Sequence, residues 1–389
     1  MKVGCNRKDY NAKRNIVEII PACDYITAVD IYKLFVASLR ICKKNSFDMA
    51  YRFNDFGFNS VDIFHLFNAV SFGSRPWVST FETILPRYES TRSCHHGKSP
   101  DFSKVLFDKK VLKALDAMNR PSCKKLIALS ACNLQMQREF LRLFQGRYSS
   151  VEKKLIWLAP PQEMYVDDWE SKRLGLEEPL VFMFVGTDFF RKGGMETVEV
   201  FQELKRNSSY DFKLIIVSSL KPYDYATKTT QSGAGIARDF IRANRSWIDY
   251  YPKLSNDEIL GLMAKAHIGL LPTYADTYGY SLLEFQASGC PVISTNVRAL
   301  PEINNPEVGW VIDVPKNYLG EGIYTSWEDR ATIKNVIKQG LERAVEDIFQ
   351  HKDAIPLKAR AALVRIKTQH SPHEYARRLS GIYSEAVQA

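Results

Sequence analysis

The sequence predicts an α/β protein with two doubly wound domains, each built on a parallel β-sheet. Short apolar runs alternate with amphipathic helical stretches along the 389 residues, a pattern typical of parallel sheets covered by helices. The alternation occurs twice, and each series is long enough for one domain. Between them lies an acidic, polar segment with Pro160, Pro161 and Pro179, the best linker candidate. We therefore expect domains over residues 1–165 and 175–371 that face one cleft.

The first half contains the first series of predicted elements. Its apolar runs predict strands, and its amphipathic stretches predict helices. The strands are predicted at Asn15–Ile20, Phe47–Phe53, Val61–Phe67, Pro76–Phe81, Lys125–Leu129 and Leu155–Trp157. The helices are predicted at Ala28–Lys44, Lys104–Met118 and Ala131–Phe144.

The second half repeats the alternation, beginning with a strand at Leu180–Val185 and a helix at Gly194–Lys205 whose apolar positions share one side. Ser255 and Glu258 form a capping box, which predicts the start of another helix. The series continues at Phe212–Val217, Trp247–Tyr250, His267–Leu271, Ser281–Ser288, Val292–Ser294 and Trp310–Ile312, and long helices are predicted at Ala331–Phe349 and Pro372–Val387.

The composition is ordinary for a globular protein, with 45% hydrophobic and 25% charged residues. It excludes collagen-like, low-complexity and wholly disordered classes. No window approaches the ~18 apolar residues of a membrane-spanning helix. The seven cysteines form no CxxC pair, so we expect neither a disulfide framework nor a metal site. The basic N-terminus lacks a following apolar stretch, which argues against a secretory signal, and we expect a cytoplasmic protein.

Positive charge is concentrated in the first half. The formal net charge is +9, but residues 1–160 hold 26 basic and 14 acidic side chains, a net charge of +12. This excess favours an anionic partner. The helices predicted at Ala28–Lys44 and Lys104–Met118 are both basic and amphipathic, so one interpretation is peripheral attachment to the anionic inner face of a membrane. The alternative is a stripe that faces the core beside solvated lysines. No nucleic-acid-binding pattern is found, so we do not expect a nucleic-acid partner.

The stretch Leu271–Ser294 (LPTYADTYGYSLLEFQASGCPVIS) has the clearest chemical pattern. A strand ends, a polar loop follows, and a helix begins near Gly279. The backbone amides of Gly279, Tyr280 and Ser281 would lie free at this helix N-terminus, which favours phosphate binding.

Two acidic residues flank the same helix N-terminus. Asp276 precedes the helix and Glu284 lies a turn inside it, so both side chains can accept hydrogen bonds from ligand hydroxyls in one pocket. The alternative is an ordinary capping aspartate together with a solvated helical glutamate.

Four motifs across the second half resemble those of one enzyme family. The segment from Asp276 to Glu284 (DTYGYSLLE) is similar to the two-acid motif of the retaining glycosyltransferases of family 4 (glycosyl transferases group 1), which have the GT-B fold. The other three motifs follow the family's order. They are FVGTDFFRKGG at 184–194, QASGCPVI at 286–293, and LPE at 300–302 followed by GWVI at 309–312.

The resemblance implies a metal-independent, cofactor-free enzyme whose second domain binds a nucleotide-diphosphate sugar. Glu284 would hold the ribose hydroxyls, and Asp276 would contact the transferred sugar. Arg191 and Lys192 would neutralise the leaving diphosphate, where negative charge develops. The final helix, 372–389, would cross back to the first domain. The donor-binding residues implied in this way are Gly186, Arg191, Lys192, Asp276, Gly279, Tyr280, Ser281 and Glu284.

The sequence departs from the family pattern at four places. The family's N-terminal glycine-rich loop is missing, because Pro21–Tyr25 (PACDY) contains no glycine. Asp276 stands where the family usually has glutamate, and Thr187 stands where an arginine commonly follows the glycine. Arg298 and Ala299 occupy positions at which the family often has two glycines.

The first domain offers further candidates on the acceptor side. Glu82 ends a predicted strand where many relatives carry histidine, so it is a candidate to contact hydroxyls or to act as a catalytic base. The alternative is an ion pair with Arg87. His65 is either a satisfied buried histidine or functional, and Ser130 resembles a family position at the base of the cleft.

Together these patterns predict a retaining glycosyltransferase. It would move a sugar from a nucleotide-sugar donor to a glycan or lipid-linked acceptor, and surface polysaccharide biosynthesis is the expected setting. One alternative is a nucleotide-sugar epimerase or phosphorylase of the same fold. Another is a non-catalytic protein that binds nucleotide sugars or glycans.

Overall fold

The computed structural model describes residues 1–41, 47–177 and 179–388. The chain forms two compact units. Unit 1 comprises residues 1–161 together with the C-terminal residues from 370 onward, and unit 2 comprises Gln162–Gln369. Each unit contains a parallel six-stranded sheet, which confirms the predicted α/β class.

The strands of both units are short, and most of their residues are buried. They are β1 (Lys2–Cys5), β2 (Asp24–Thr27), β3 (Arg52–Phe53), β4 (Ile63–Phe67), β5 (Val70–Ser71), β6 (Trp77–Phe81), β7 (Cys123–Ala128), β8 (Leu155–Trp157), β9 (Leu180–Val185), β10 (Phe212–Val217), β11 (Ile248–Tyr251), β12 (Ile268–Leu271), β13 (Val292–Thr295) and β14 (Gly309–Ile312).

Helices alternate with the strands, and three long helices follow the strand β14. They are α1 (Tyr10–Asn15), α2 (Ile31–Ile41), α3 (Ser103–Leu106), α4 (Lys109–Asn119), α5 (Ala131–Arg142), α6 (Ser149–Glu152), α7 (Gly194–Asn207), α8 (Gln231–Ala243), α9 (Asn256–Ala264), α10 (Tyr280–Ala287), α11 (Leu300–Ile303), α12 (Trp327–Gln350), α13 (Ala354–Gln369) and α14 (Pro372–Gln388). Short 3-10 helices lie at Asp48–Tyr51, Glu89–Thr91 and Glu170–Lys172. None of the described helices combines the length and the apolar character needed to span a bilayer.

The main sheet of unit 1 has the strand order β2-β1-β4-β6-β7-β8 with parallel neighbours. The strand predicted at Asn15–Ile20 is wrong, because these residues end α1 and form turns. Asp9 caps α1 by accepting a hydrogen bond from Ala12, and Glu18 has a left-handed φ of 65°, which is incompatible with a strand. Ile16 and Val17 are buried nevertheless, so the apolar run reflects a packed turn.

The strand predicted at Phe47–Phe53 is also mostly wrong. Its residues form the 3-10 helix Asp48–Tyr51 followed by the two-residue strand β3. Strand β3 pairs with β5 in a separate two-stranded sheet. Strands β1 and β2 were not predicted from the sequence.

The two basic stretches bury their apolar side chains to different extents. In the helix predicted at Ala28–Lys44, Val36 is buried, but Phe35 is 51% exposed. The helix predicted at Ala28–Lys44 is α2, and residues 42–44 lie outside the described residues. The stretch predicted at Lys104–Met118 is divided into α3 and α4, because the Asp108 side chain caps α4 at the Lys110 amide. Most of its apolar stripe is buried, whereas Phe107 is 84% exposed.

The sheet of unit 2 has the order β11-β10-β9-β12-β13-β14, again with parallel neighbours. The strands predicted at Leu180–Val185 and Phe212–Val217 are confirmed residue for residue. The capping box of Ser255 and Glu258 opens α9 as predicted, and Ser281–Ser288 lies almost wholly within α10.

The proline-flanked segment after residue 160 packs on unit 2. The Tyr165 amide donates to the Ala287 carbonyl at 2.9 Å. Lys172 Nζ donates to the carbonyls of Ala266 and Ser288 at 2.7 and 2.8 Å. The boundary between the units therefore falls after Pro161.

The last helix, α14, packs on unit 1. The hydroxyl of Tyr383 lies 2.6 Å from His65 Nδ1, and Thr80 Oγ1 lies 2.7 Å from His65 Nε2. The Tyr375 hydroxyl donates to the Asn15 carbonyl at 2.8 Å. Burial lowers the pKa of His65 to about 3, so the ring is neutral. His65 is thus a satisfied core histidine, as one of the two interpretations predicted.

A buried carboxyl anchors the start of α7 in unit 2. Glu196 is 3% exposed, and its Oε1 accepts a hydrogen bond from the Tyr274 hydroxyl at 2.9 Å. Burial raises the pKa of Glu196 to about 7. The folded protein therefore favours the neutral carboxyl. The contribution of the neutral Glu196 carboxyl to the free energy of unfolding is fully present below the pKa that this group has in the unfolded chain. It is lost as pH rises through about 7.

We expect Glu196→Gln to be more stable than the parent protein at pH 8, because the parent carboxyl ionises in the buried site and glutamine does not. The expected gain is on the order of 3 kcal/mol above pH 7 and close to zero near pH 4.5. Thermal unfolding midpoints across this range measure it, with Glu203→Gln, an exposed position of the same helix, as the control. A difference between variant and parent that does not change with pH would contradict the assignment.

Candidate active site

The sheet of unit 2 changes its winding direction between β9 and β12. After β9 the chain adds β10 and β11 on one side, and it then returns to add β12, β13 and β14 on the other. Loops that leave neighbouring strands at such a switch point diverge and open a crevice, where ligands of α/β proteins bind. The residues that follow β9 and β12 are residues 186–193 and 272–279, which contain most of the predicted donor-binding residues.

Two glycines shape the loop after β9. A Cβ on Gly186 would lie 2.3 Å from Cδ of Lys192, so the missing side chain gives room to the lysine stem. Gly193 caps α7 with a left-handed φ of 80°, and a Cβ there would lie 2.0 Å from the Pro272 carbonyl oxygen. Gly193 therefore allows the two loops to approach closely at Pro272.

Three charged side chains meet between the loops. Lys192 Nζ lies 3.4 Å from Asp276 Oδ2, and Arg191 Nη1 lies 3.9 Å from the same oxygen. All three side chains are 12–13% exposed, which strengthens their interaction relative to surface ion pairs. The sequence prediction that Arg191, Lys192 and Asp276 share one site is thus consistent with this geometry.

Arg191 is held by several further contacts. Its guanidinium pairs with Asp188 Oδ2 at 2.5 Å and donates to the Ala275 carbonyl. It also stacks over the Tyr225 ring at 5.6 Å from the centroid. Asp188 and Tyr225 were not singled out from the sequence, although Asp188 lies within the FVGTDFFRKGG motif.

Asp276 is ionised and engages the start of α10. Burial raises the pKa of Asp276, but the charges of Lys192 and Arg191 outweigh it and hold the pKa below its ordinary value. Its Oδ1 accepts a hydrogen bond from the Gly279 amide at 3.0 Å. This corrects the expectation that the Gly279 amide lies free. The interpretation of Asp276 as a capping aspartate therefore describes part of its role.

The other predicted donor-binding residues of this segment lie at or near the N-terminus of α10. Gly279 has a φ of 87°, and a Cβ there would lie 2.4 Å from Leu300 Cδ2. The Ser281 hydroxyl is buried and has no hydrogen-bond partner among the residues that the structure describes. Tyr280 is partly exposed, and its ring lies 5.5 Å from that of Tyr278. Glu284 lies one turn further along and is 7% exposed, which excludes the solvated-glutamate interpretation.

Sequence reasoning missed a buried ion pair beyond β13. The Arg298 guanidinium donates to Glu321 Oε1, and both side chains are at most 4% exposed. Arg298 has a left-handed φ of 52°, the conformation that glycine adopts most readily. The sequence held one signal of this pair, because Arg298 and Ala299 replace the two glycines that the family often has there.

Glu82, in unit 1, lies within a hydrogen-bonded network. Its Oε2 pairs with Arg87 at 2.8 Å and accepts from Asn68 at 3.2 Å, and its Oε1 accepts from Asn11 at 2.9 Å. Glu82 therefore forms the ion pair with Arg87, which was the alternative to a catalytic role in the sequence analysis. Ser130 caps α5, since its hydroxyl accepts from the Asn133 amide at 3.0 Å.

Part of this chain is similar in sequence to known glycosyltransferases. Residues 167–343 match the family model described as Glycosyl transferases group 1. The lipopolysaccharide glucosyltransferase WaaG of Escherichia coli (strain K12) is 27% identical over 164 residues, 40% of this chain and 41% of that protein. The D-inositol 3-phosphate glycosyltransferase of Arthrobacter sp. (strain FB24) is 26% identical over 177 residues, 43% of this chain and 40% of that protein. The aligned segments thus span less than half of both curated relatives.

Solved structures resemble nearly the whole chain. Sucrose-phosphate synthase from Thermosynechococcus elongatus has a TM-score of 0.59 at 14% identity, covering 99% of this chain and 88% of that one. The WaaG structure gives 0.57 at 17% identity, covering 98% and 100%. Anabaena HepE in complex with UDP gives 0.55 at 13% identity, covering 93% and 86%. The chain has the GT-B fold of these glycosyltransferases.

We expect Gly186→Ala to weaken anion binding at this site, because the added Cβ would displace the Lys192 side chain from Asp276. The lysine stem is flexible, so the unfolding midpoint should change little. Calorimetric titration with inorganic pyrophosphate should show an affinity lowered about tenfold or more, a loss of ~1.4 kcal/mol.

Gly261→Ala is the matched control, since a Cβ on that helical glycine meets nothing within 4 Å. Equal pyrophosphate affinities of the two variants would mean that Lys192 does not contribute to an anion site.

Proposed function

We propose that this protein is a retaining glycosyltransferase that moves a sugar from a nucleotide-sugar donor to a glycan or lipid-linked acceptor. The observation that carries the proposal is the approach of Lys192 and Arg191 to Asp276 beside the N-terminus of α10. This arrangement lies at the switch point of the sheet and within the segment that matches the group 1 family model.

The donor's diphosphate would bind at the start of α10. A helix N-terminus favours anions. The nearby Lys192 and Arg191, which are paired with Asp276 and Asp188 in the structure, would add cationic N–H donors. The buried hydroxyl of Ser281 offers a further donor at the same place. Glu284 would hold the ribose hydroxyls of the nucleotide. The solved neighbour HepE binds UDP, which supports a nucleoside diphosphate as the ligand class.

Charge compensation would drive the chemical step. The bond between the anomeric carbon and the diphosphate breaks, and its electron pair leaves with the diphosphate. The acceptor hydroxyl oxygen forms the new bond on the same face of the sugar, and its proton passes to the departing diphosphate oxygen. Lys192 and Arg191 would stabilise the departing negative charge, and because they are already held in place, little reorganisation is needed. We propose that these cations serve without a metal ion or cofactor.

Asp276 would both position the cations and contact the sugar. Its ion pairs with Lys192 and Arg191 fix both side chains before donor binding, and its bond to the Gly279 amide fixes the turn into α10. As one of the two acidic residues of the motif, it would also accept a hydrogen bond from the transferred sugar. We propose that Glu82 positions Asn11, Asn68 and Arg87 rather than acting as a base, because donors already occupy both its oxygens.

We propose surface polysaccharide or lipid-linked glycan synthesis as the setting, on the inner face of a membrane. The similarity to a lipopolysaccharide glucosyltransferase supports this acceptor class. The net charge of +12 over residues 1–160 supports contact with anionic lipid. Phe107 adds an exposed apolar side chain between the basic helices α3 and α4.

Thermal-shift measurements with a panel of nucleoside diphosphates test donor binding. We expect one nucleotide to raise the unfolding midpoint, because a ligand that binds only the folded state stabilises it. Glu284→Ala should lower the affinity for that nucleotide more than about tenfold, a loss of over ~1.4 kcal/mol. Glu342→Ala, at an exposed position of α12, is the control. Unchanged binding in Glu284→Ala would remove Glu284 from the site.

Turnover of the corresponding nucleotide sugar tests the reaction itself. We expect Lys192→Ala to lower kcat more than it weakens donor binding, because the charge that Lys192 opposes develops on departure of the diphosphate. Equal losses in both would indicate simple ground-state binding. An epimerised donor or a phosphate-dependent product would identify an epimerase or a phosphorylase, and nucleotide binding without turnover would identify a binding protein.

A further inference from the structure

Unit 2 contains a cavity that the candidate active site does not use. It has a volume of about 450 Å³ and lies between the N-terminal ends of α7, α8 and α12. This volume falls within the range of small-molecule sites. None of the predicted donor-binding residues lines it.

The wall of the cavity is largely apolar and includes an exposed tryptophan. Trp327, the first residue of α12, is 72% exposed, and Ile236 of α8 is 61% exposed. Met195 and Phe190 line the cavity as well. An indole exposed on a cavity wall offers a flat apolar surface against which a ring can stack.

One buried carboxyl oxygen on this wall lacks a partner. Glu196 lines the cavity and is 3% exposed. Its Oε1 accepts from Tyr274, but its Oε2 has no hydrogen-bond partner among residues 1–41, 47–177 and 179–388. Buried polar atoms are rarely left unsatisfied, so a ligand with a hydrogen-bonding group fits this position.

The other charged side chains of the wall have partners within the protein. Lys334 pairs with Glu199 at 3.1 Å, and Arg330 donates to the carbonyls of Tyr324 and Thr325 at 3.2 and 3.0 Å. A cationic ligand would face Arg330 and Lys334, and an anionic ligand would face Glu199 and the carboxyl of Glu196. The wall therefore suits a neutral ligand that both donates and accepts hydrogen bonds.

We propose that this cavity is an accessory binding site for a neutral sugar unit, stacked on Trp327 and hydrogen-bonded to Glu196. A sugar ring has an apolar face for the indole, and its hydroxyls can donate to the carboxyl and accept from Arg330 or Lys334. The site is separate from the proposed donor site, yet it shares a loop with it. Tyr274 donates its hydroxyl to Glu196, and its amide donates to the Arg191 carbonyl at 2.9 Å.

Fluorine NMR of the full chain labelled with fluorotryptophan tests the proposal. The protein has six tryptophans, and the resonance of Trp327 is assigned by its loss in Trp327→Phe. We expect titration with the methyl glycosides of glucose, galactose, mannose and N-acetylglucosamine to shift this resonance saturably for at least one sugar. Short oligosaccharides of that sugar form a second arm, in which tighter binding would identify a glycan chain as the source.

Variants separate this site from the donor site. Binding of the sugar, followed by calorimetry or by ligand-detected NMR, should weaken about tenfold or more in Trp327→Ala. It should weaken also in Glu196→Gln. It should persist in Phe107→Ala, a control at an exposed aromatic residue of unit 1, and in Lys192→Ala.

The proposal is overturned if no sugar of the panel shifts the Trp327 resonance, or if binding survives Trp327→Ala and is lost in Lys192→Ala. In the second case the sugar occupies the proposed donor site alone. Sugar binding at Trp327 in a protein that binds no nucleoside diphosphate would leave the cavity assignment standing and refute the proposed transferase activity.

Discussion

The ion pair between Lys192 and Asp276 is the interaction on which the candidate site depends. It connects the loops that leave β9 and β12, neighbouring strands at the switch point of the sheet. Gly186 makes room for the lysine stem, and Gly193 lets the loops approach at Pro272. Asp276 in turn fixes the turn into α10 through the Gly279 amide. The local order of the site therefore follows from two side chains whose charges neutralise each other while buried.

The sequence predicted the sheet of unit 2 better than that of unit 1 for a physical reason. Leu180–Val185 and Phe212–Val217 are central strands, and their nearly continuous apolar runs have sharp ends. Strand β1 has only four residues, and β2 is a half-exposed strand at the sheet edge, so neither gives such a run. Asn15–Ile20 gives an apolar run but is a buried turn, and local composition cannot distinguish the two.

Much of the candidate site was predictable because its residues lie in short motifs on adjacent loops. What local spacing could not give is the pairing of distant residues. The contacts of Glu82 with Asn11 and Asn68 span 71 and 14 residues. The pair formed by Arg298 and Glu321 and the cavity between three helices depend likewise on the folded arrangement. Spacing also could not show that the amide of Gly279 is engaged by its own loop.

The return of α14 to unit 1 has a consequence for biosynthesis. Unit 2 is continuous, but the core of unit 1 requires Tyr375 and Tyr383, which leave the ribosome after all of unit 2. At about 5–20 residues per second, the 208 residues of unit 2, Gln162–Gln369, take roughly 10–40 s to translate. Throughout that interval the His65 ring lacks its hydrogen-bond partner, the Tyr383 hydroxyl. The second unit can thus complete its fold before the first, reversing the usual N-terminal-first order of nascent chains.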